Sequence, residues 1–217
     1  DSGAALLDTV SQSRCAVEGL NLGTVYYWKV DEVNEAADPS LWQGDTWSFS
    51  TVEYLMVEDF ESYDDDENCI FDTWIDGFVN ETGSTVGYFD APFAEQSIVN
   101  SGRQSMPLFY DNAGVTVAEA TRALTPAQNW TANEVQSLSV YFYGAQGNTG
   151  QLYLKINDTK VVYGGDATDI DKAQWQPWNV DLSSVGGNLS SVSEVTIGIE
   201  GAGAAGVVYI DDIRLYA

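Results

Sequence analysis

The sequence contains no histidine. That removes the Ser-His-Asp triad, the Cys-His pair and the usual zinc sites, which all need an imidazole as base or ligand. Basic residues are scarce too: 8 Lys and Arg stand against 33 Asp and Glu, for a formal charge of −25. So negative a chain repels phosphate backbones and anionic lipid, so neither nucleic acid nor a membrane surface is an expected partner. Neutral molecules and cations such as calcium are compatible with it. The two cysteines, Cys15 and Cys69, match no metal or redox spacing; one disulfide and two free thiols are both open. No apolar run is long enough to span a bilayer, and no signal peptide is recognisable. The start at DSGAALLD, without a methionine, is expected of a mature or excised piece of a longer protein.

What is present is 44% hydrophobic and 12% aromatic, enough for a sizeable core. Helical periodicity is rare. Alternating runs dominate: TVYYWKV (24–30), DTWSFST (45–51), SLSVYFYG (137–144), QLYLKIN (151–157), SEVTIGIE (193–200) and VVYIDDIRLY (207–216). Turn-formers separate them, as in GAQGNTG (144–150). Short strands with Gly, Asn and Asp turns predict an all-β antiparallel sandwich or jelly roll. VAEATRAL (117–124) reads equally well as helix or strand.

A boundary is expected near residue 52, giving segments 1–52 and 53–217. In the first, Leu20, Gly23, Thr24, Tyr27, Trp28, Trp47, Phe49 and Thr51 stand where a fibronectin type III domain has its Leu-x-x-Gly-Thr-x-Tyr corner and W-x-F-x-T hairpin. The segment resembles the C-terminal part of such a domain. The resemblance implies a corner tyrosine, Tyr26 or Tyr27, bonded back to the backbone near Leu20. A complete domain needs about 100 residues, so the earlier strands are missing. The remnant must dock on the second segment, self-associate with another chain, or stay disordered.

The second segment opens with YLMVEDFESYDDD, passes through VNSGRQSMPLFYDN and QWQPWNVDL, and ends with VYIDDIRLY. In that order these stretches resemble β-sandwich carbohydrate-binding modules with galactose-binding-like folds. The likeness implies an extracellular, non-catalytic module binding a polysaccharide.

Two aspartates, Asp211 and Asp212, interrupt the last strand, where aspartate is unfavourable. First and last strands of such sandwiches are commonly neighbours, which brings Asp59 or Glu61 against them. Like charges that close need neutralising. The resemblance implies a structural Ca2+ on Asp59, Glu61 and Asp211 or Asp212, completed by backbone carbonyls around Gly102–Gln104. The competing reading pairs the aspartates with a turn, Arg214 or Arg103. The run DDDE (64–67) is no EF-hand, because Cys69 occupies the required glycine position.

Aromatic residues on the solvent side of strands are the expected sugar contacts. Alternation puts Tyr141 and Tyr143 opposite Leu138, Val140 and Phe142, and puts Tyr153 and Lys155 opposite Leu152, Leu154 and Ile156. Sugar C–H faces stack on such rings while polar side chains bond the hydroxyls. Trp74 and Trp130, near turns, are further stacking candidates; Trp175 and Trp178 are expected to pack inside. Two other functions stay open. A glycoside hydrolase or lyase would need a carboxylate pair at a set separation, and an adhesion module would bind protein.

Overall fold

The computed structural model describes residues 7–217. The chain divides into two units, with the break between Glu53 and Tyr54.

In the first unit, β1 (Val25–Trp28) pairs antiparallel with β4 (Trp47–Ser50), and β2 (Glu32–Val33) pairs with β3 (Leu41–Trp42). The Tyr26 hydroxyl accepts the Asn21 N–H at 2.8 Å, so Tyr26 bonds back to the chain while Tyr27 is exposed. Thr51 ties the corner to the hairpin: its Oγ1 accepts from Thr24 N at 2.9 Å and donates to Asn21 O at 2.6 Å. Register and alternation put Tyr26, Trp28, Trp47 and Phe49 on one face. Tyr26 and Phe49 stack at 5.8 Å, while Trp28, Trp47 and Phe49 stay exposed.

The second unit contains β5 (Tyr54–Glu58), β6 (Trp74–Ile75), β7 (Ser84–Val86), β8 (Met106–Asp111) and β9 (Val117–Gln128). Then follow β10 (Ser137–Tyr143), β11 (Gln151–Ile156), β12 (Thr159–Val162), β13 (Trp175–Asp181), β14 (Val192–Glu200) and β15 (Ala205–Tyr216). Two one-turn helices, α1 (Ile70–Thr73) and α2 (Gly77–Asn80), flank β6. A six-stranded sheet has the order β13-β10-β15-β8-β7, with β5 also on β15; a five-stranded sheet has the order β12-β11-β14-β9-β6. All pairings are antiparallel. Segment 117–124, open in the sequence, is strand β9. Ala118, Ala120 and Leu124 alternate inward, and β14 supplies its ladder along most of its length.

Leu138, Val140 and Phe142 of β10 face the core, with Leu152, Leu154 and Ile156 of β11 and Val208 and Ile210 of β15. Each such side chain adds about 1.5–3 kcal/mol by leaving water. An ion pair also crosses the interior. Glu58, on β5 of the larger sheet, meets Arg122 of β9 in the smaller one, Nη1 to Oε2 at 2.9 Å. The same carboxylate accepts from Phe60 N at 2.8 Å, Tyr63 Oη at 2.6 Å and Trp74 Nε1 at 3.4 Å. Arg122 Nη1 also donates to Val57 O at 2.7 Å. Cys15 and Cys69 are free thiols.

Candidate functional site

β5 lies beside β15, with Glu58 opposite Ile213. The aspartates of β15 sit where its ladder with β10 breaks register, between the pairs Ser139–Arg214 and Tyr141–Asp211. Asp212 adopts φ 50°, a left-handed conformation that aspartate tolerates better than most residues. That bulge explains two carboxylates in mid-strand.

Their partners are donors of hydrogen. Asp211 Oδ2 accepts from Asn100 N at 2.9 Å and Ser101 N at 3.2 Å, and its Oδ1 accepts from Asp212 N at 2.8 Å. Asp212 accepts from Asn100 Nδ2 at 2.6 Å, Ser101 Oγ at 2.9 Å and Arg214 Nη2 at 2.5 Å. Burial pushes the Asp211 carboxyl up to about 7 and the Asp212 charge adds to this, against the pull of the amides. β5 ends at Glu58 and the chain turns at Phe60, φ 59°, so Asp59 and Glu61 lie beyond the strand. Asp59 Oδ1 accepts from Glu61 N at 3.1 Å. Glu61 accepts from Arg103 N at 2.7 Å, Gln104 N at 3.1 Å and Arg103 Nε at 3.2 Å. Gly102 between them takes φ 74°, a left-handed conformation that favours glycine, and a Cβ there would also press on Glu61 Oε1 at 2.3 Å.

Loop 100–104 therefore separates the carboxylates of the two ends and turns its N–H groups to both. The expected ligand shell needed its carbonyls. Calcium takes six to eight oxygens at about 2.3–2.6 Å; here the N–H groups of the loop at Asn100, Ser101, Arg103 and Gln104 face the carboxylates. Among the described residues no group of three or more His, Cys, Asp or Glu is arranged to hold a metal. Melting with and without EDTA tests the calcium expectation: an unchanged melting temperature leaves the charge to the amides and Arg214. A fall of several degrees, reversed by added calcium and absent from Asp212→Ala, would support an ion at the β15 carboxylates.

The solvent side of the six-stranded sheet carries a line of aromatic rings. Tyr143 of β10 sits opposite Trp175 of β13 and Tyr209 of β15. Its ring lies edge-on to Trp175 at 5.6 Å and to Tyr209 at 5.9 Å. Further along, Tyr88 meets Phe109 of β8 edge-on at 5.6 Å. Burial pushes the Tyr88 phenol up, reinforced by hydrogen bonds with Glu95 and Tyr209. Burial alone would raise the Glu95 carboxyl, but donors Tyr88, Ser97 and Ile98 hold it below its ordinary range. All five rings are half-buried. Tyr141, on the same sheet face, borders a second cluster: the Arg214 guanidinium lies 5.9 Å from its ring and 4.5 Å from that of Tyr54, which packs on Tyr216 at 5.6 Å.

Of the expected sugar contacts, Tyr141 and Tyr143 share this face. The others do not. β11 belongs to the other sheet, so Tyr153 and Lys155 point the opposite way and no joint platform exists. Tyr153 is 1% exposed: the Lys160 ammonium covers its ring at 4.0 Å, its hydroxyl bonds Glu119, and Lys155 pairs with Glu119 at 2.5 Å. Trp74 and Trp130 are 0% and 1% exposed. Trp74 stacks on Phe60 at 5.6 Å inside the sandwich, and Trp130 donates to Gln128 Oε1 at 2.9 Å. Neither offers a ring face to a ligand. Trp175, expected inside, is instead at the surface, and Trp178 is buried. Strand alternation carried that signal, since residues three apart face opposite ways. Tyr209 and Phe109 were open to the same argument.

No family model and no curated protein matches the sequence. Solved structures do. The agarase AgWH50C superposes with TM-score 0.53 at 9% identity, over 75% of this chain and 26% of the agarase. The arabinose-bound α-L-arabinofuranosidase MgGH51 gives TM-score 0.50 at 13% identity, over 91% and 29%. The family 11 carbohydrate-binding module of the cellulase Lic26A-Cel5E of Clostridium thermocellum gives 0.49 at 15%, over 77% and 96%. Carbohydrate-binding modules are among the structural neighbours. At these identities the likeness is one of fold, an antiparallel β-sandwich, and this chain spans under a third of either enzyme.

Proposed function

We propose that the Tyr54–Ala217 unit is a non-catalytic carbohydrate-binding module for a neutral polysaccharide chain laid across the outer face of the six-stranded sheet. The observation that carries this is the ring line Trp175–Tyr143–Tyr209, continued by Tyr88 and Phe109. From β13 to β7 there are four strand spacings, about 19 Å, room for several consecutive sugars. Apolar walls with a few placed hydroxyl and carboxylate groups suit sugars, which present both C–H faces and hydroxyls. A formal charge of −25 disfavours sulfated or uronate chains. The setting that fits is extracellular, within a longer protein that acts on or adheres to plant or algal polysaccharide.

A hydrolase or lyase is the weaker reading. Glu95, held ionised by its donors, is a poor general acid at neutral pH. Asp212 is occupied by Arg214. Affinity electrophoresis through agarose, mixed-linkage β-glucan and xylan should retard the protein in at least one gel, with no new reducing ends after incubation. Free migration in every gel would remove the proposal, and released reducing ends would favour the enzyme.

For the first unit, the proposed partner is another copy of the chain. Trp47, 60% exposed beside Trp28, leaves aromatic surface that a two-stranded sheet cannot bury alone. Sedimentation should show a concentration-dependent dimer that Trp47→Ser weakens. A monomer at every concentration would end this idea.

A further inference from the structure

Beyond the last strand of the aromatic sheet, α2 presents two apolar side chains to water: Phe78 is 77% exposed and Val79 71%. The turn beneath them is held firmly. Asp76, itself buried, accepts from Phe78 N at 3.0 Å through Oδ1 and from Val86 N of β7 at 2.8 Å through Oδ2. One carboxylate thus caps the helix and pins it to the sheet edge. Asn80 Nδ2 donates to Glu119 O at 2.8 Å. Gly77 and Gly83 close the turn against backbone, where a Cβ would stand 2.2 Å from Thr82 O and 2.4 Å from Asp111 O respectively. Phe78 is therefore a positioned ring on a rigid support, and folding buries little of it.

An open cleft of about 270 Å³ is lined by Gly77, Phe78 and Thr82 to Thr85. The hydroxyls of Thr82 and Ser84 are engaged, with Asn80 Oδ1 at 2.7 Å and Glu119 O at 2.6 Å. Thr85 lies between buried Ser84 and Val86, so it faces outward, and β7 pairs it with Phe109. The cleft thus continues the surface on which Tyr88 and Phe109 stand. A site with one exposed ring and an outward hydroxyl matches a neutral sugar, whose C–H face covers the ring while its hydroxyls meet Thr85 and water.

We infer that Phe78 and Thr85 form an additional sugar subsite past the β7 edge, which makes the module favour long chains over short ones. This rests on the aromatic sheet being the polysaccharide site. The test is calorimetric titration with a graded series of oligosaccharides cut from whichever polymer the gel screen selects. Wild-type affinity should keep rising with length after the sheet rings are filled. Phe78→Ala should abolish that last rise, leaving the longest ligand about fivefold weaker, a loss of about 1 kcal/mol, and the shorter ones unchanged. Its melting curve should match the wild type, because the lost ring is exposed. Tyr143→Ala should weaken every length. If Phe78→Ala keeps the full length dependence, or weakens all lengths alike, the subsite is wrong while the sheet site stands. If no polymer binds, both fall together.

Discussion

Tyr143→Ala is expected to remove most of the proposed polysaccharide binding while the protein stays folded. Tyr143 lies between two rings of the line, touching Trp175 on one side and Tyr209 on the other. Its loss opens a gap that a rigid chain of sugars cannot bridge. Truncating a central aromatic anchor commonly costs 2 kcal/mol or more, about thirtyfold in affinity. The stability cost is of similar size, about 1–3 kcal/mol from the two edge-on partners, which a domain with a core this large tolerates. Retardation in the selected gel should disappear, with the cooperative melt retained. Tyr153→Phe is the matched control: it removes a tyrosine hydroxyl on the opposite sheet and should leave retardation unaltered. If Tyr143→Ala binds as well as wild type, the aromatic line is not the site.

Arg122→Met is expected to produce the largest loss of stability. Its guanidinium is the cation that neutralises Glu58, whose side chain is almost wholly buried between the sheets. Leaving a buried charge unpaired typically costs about 3–5 kcal/mol. For a domain of this size that corresponds to a fall in melting temperature of about 6–20 °C, measurable by calorimetry. Glu58→Leu with Arg122→Met should recover only part of this. The double change removes the stranded charge but leaves the donors Phe60 N, Tyr63 Oη and Trp74 Nε1 without their acceptor. A shift under a few degrees for Arg122→Met would show that the pair contributes little.

The carboxylates show how far local patterning reaches. Aspartates inside VVYIDDIRLY marked an irregular place in the last strand, and a bulge is there. Which groups answer them depends on contacts between residues over a hundred positions apart, from Asn100 and Ser101 to Asp211 and Asp212. On the first strand the wrong carboxylate stood out. Glu58 is the buried one, paired with Arg122 across the core, whereas Asp59 and Glu61 lie past the strand end.

Composition and alternation by themselves determined the all-β class, the core-facing residues of β10 and β11, and the exclusion of histidine-based chemistry, because these depend only on residue type and a period of two. Tertiary structure alone decided that β10 and β11 enter different sheets, which split Tyr143 from Tyr153. It likewise sank Trp74 and Trp130 into the interior and drew Trp175, Tyr143 and Tyr209 into one line. The physical reason is that alternation assigns a side chain to one of two faces, while sheet order and sandwich closure, set by long-range pairing, determine what each face meets.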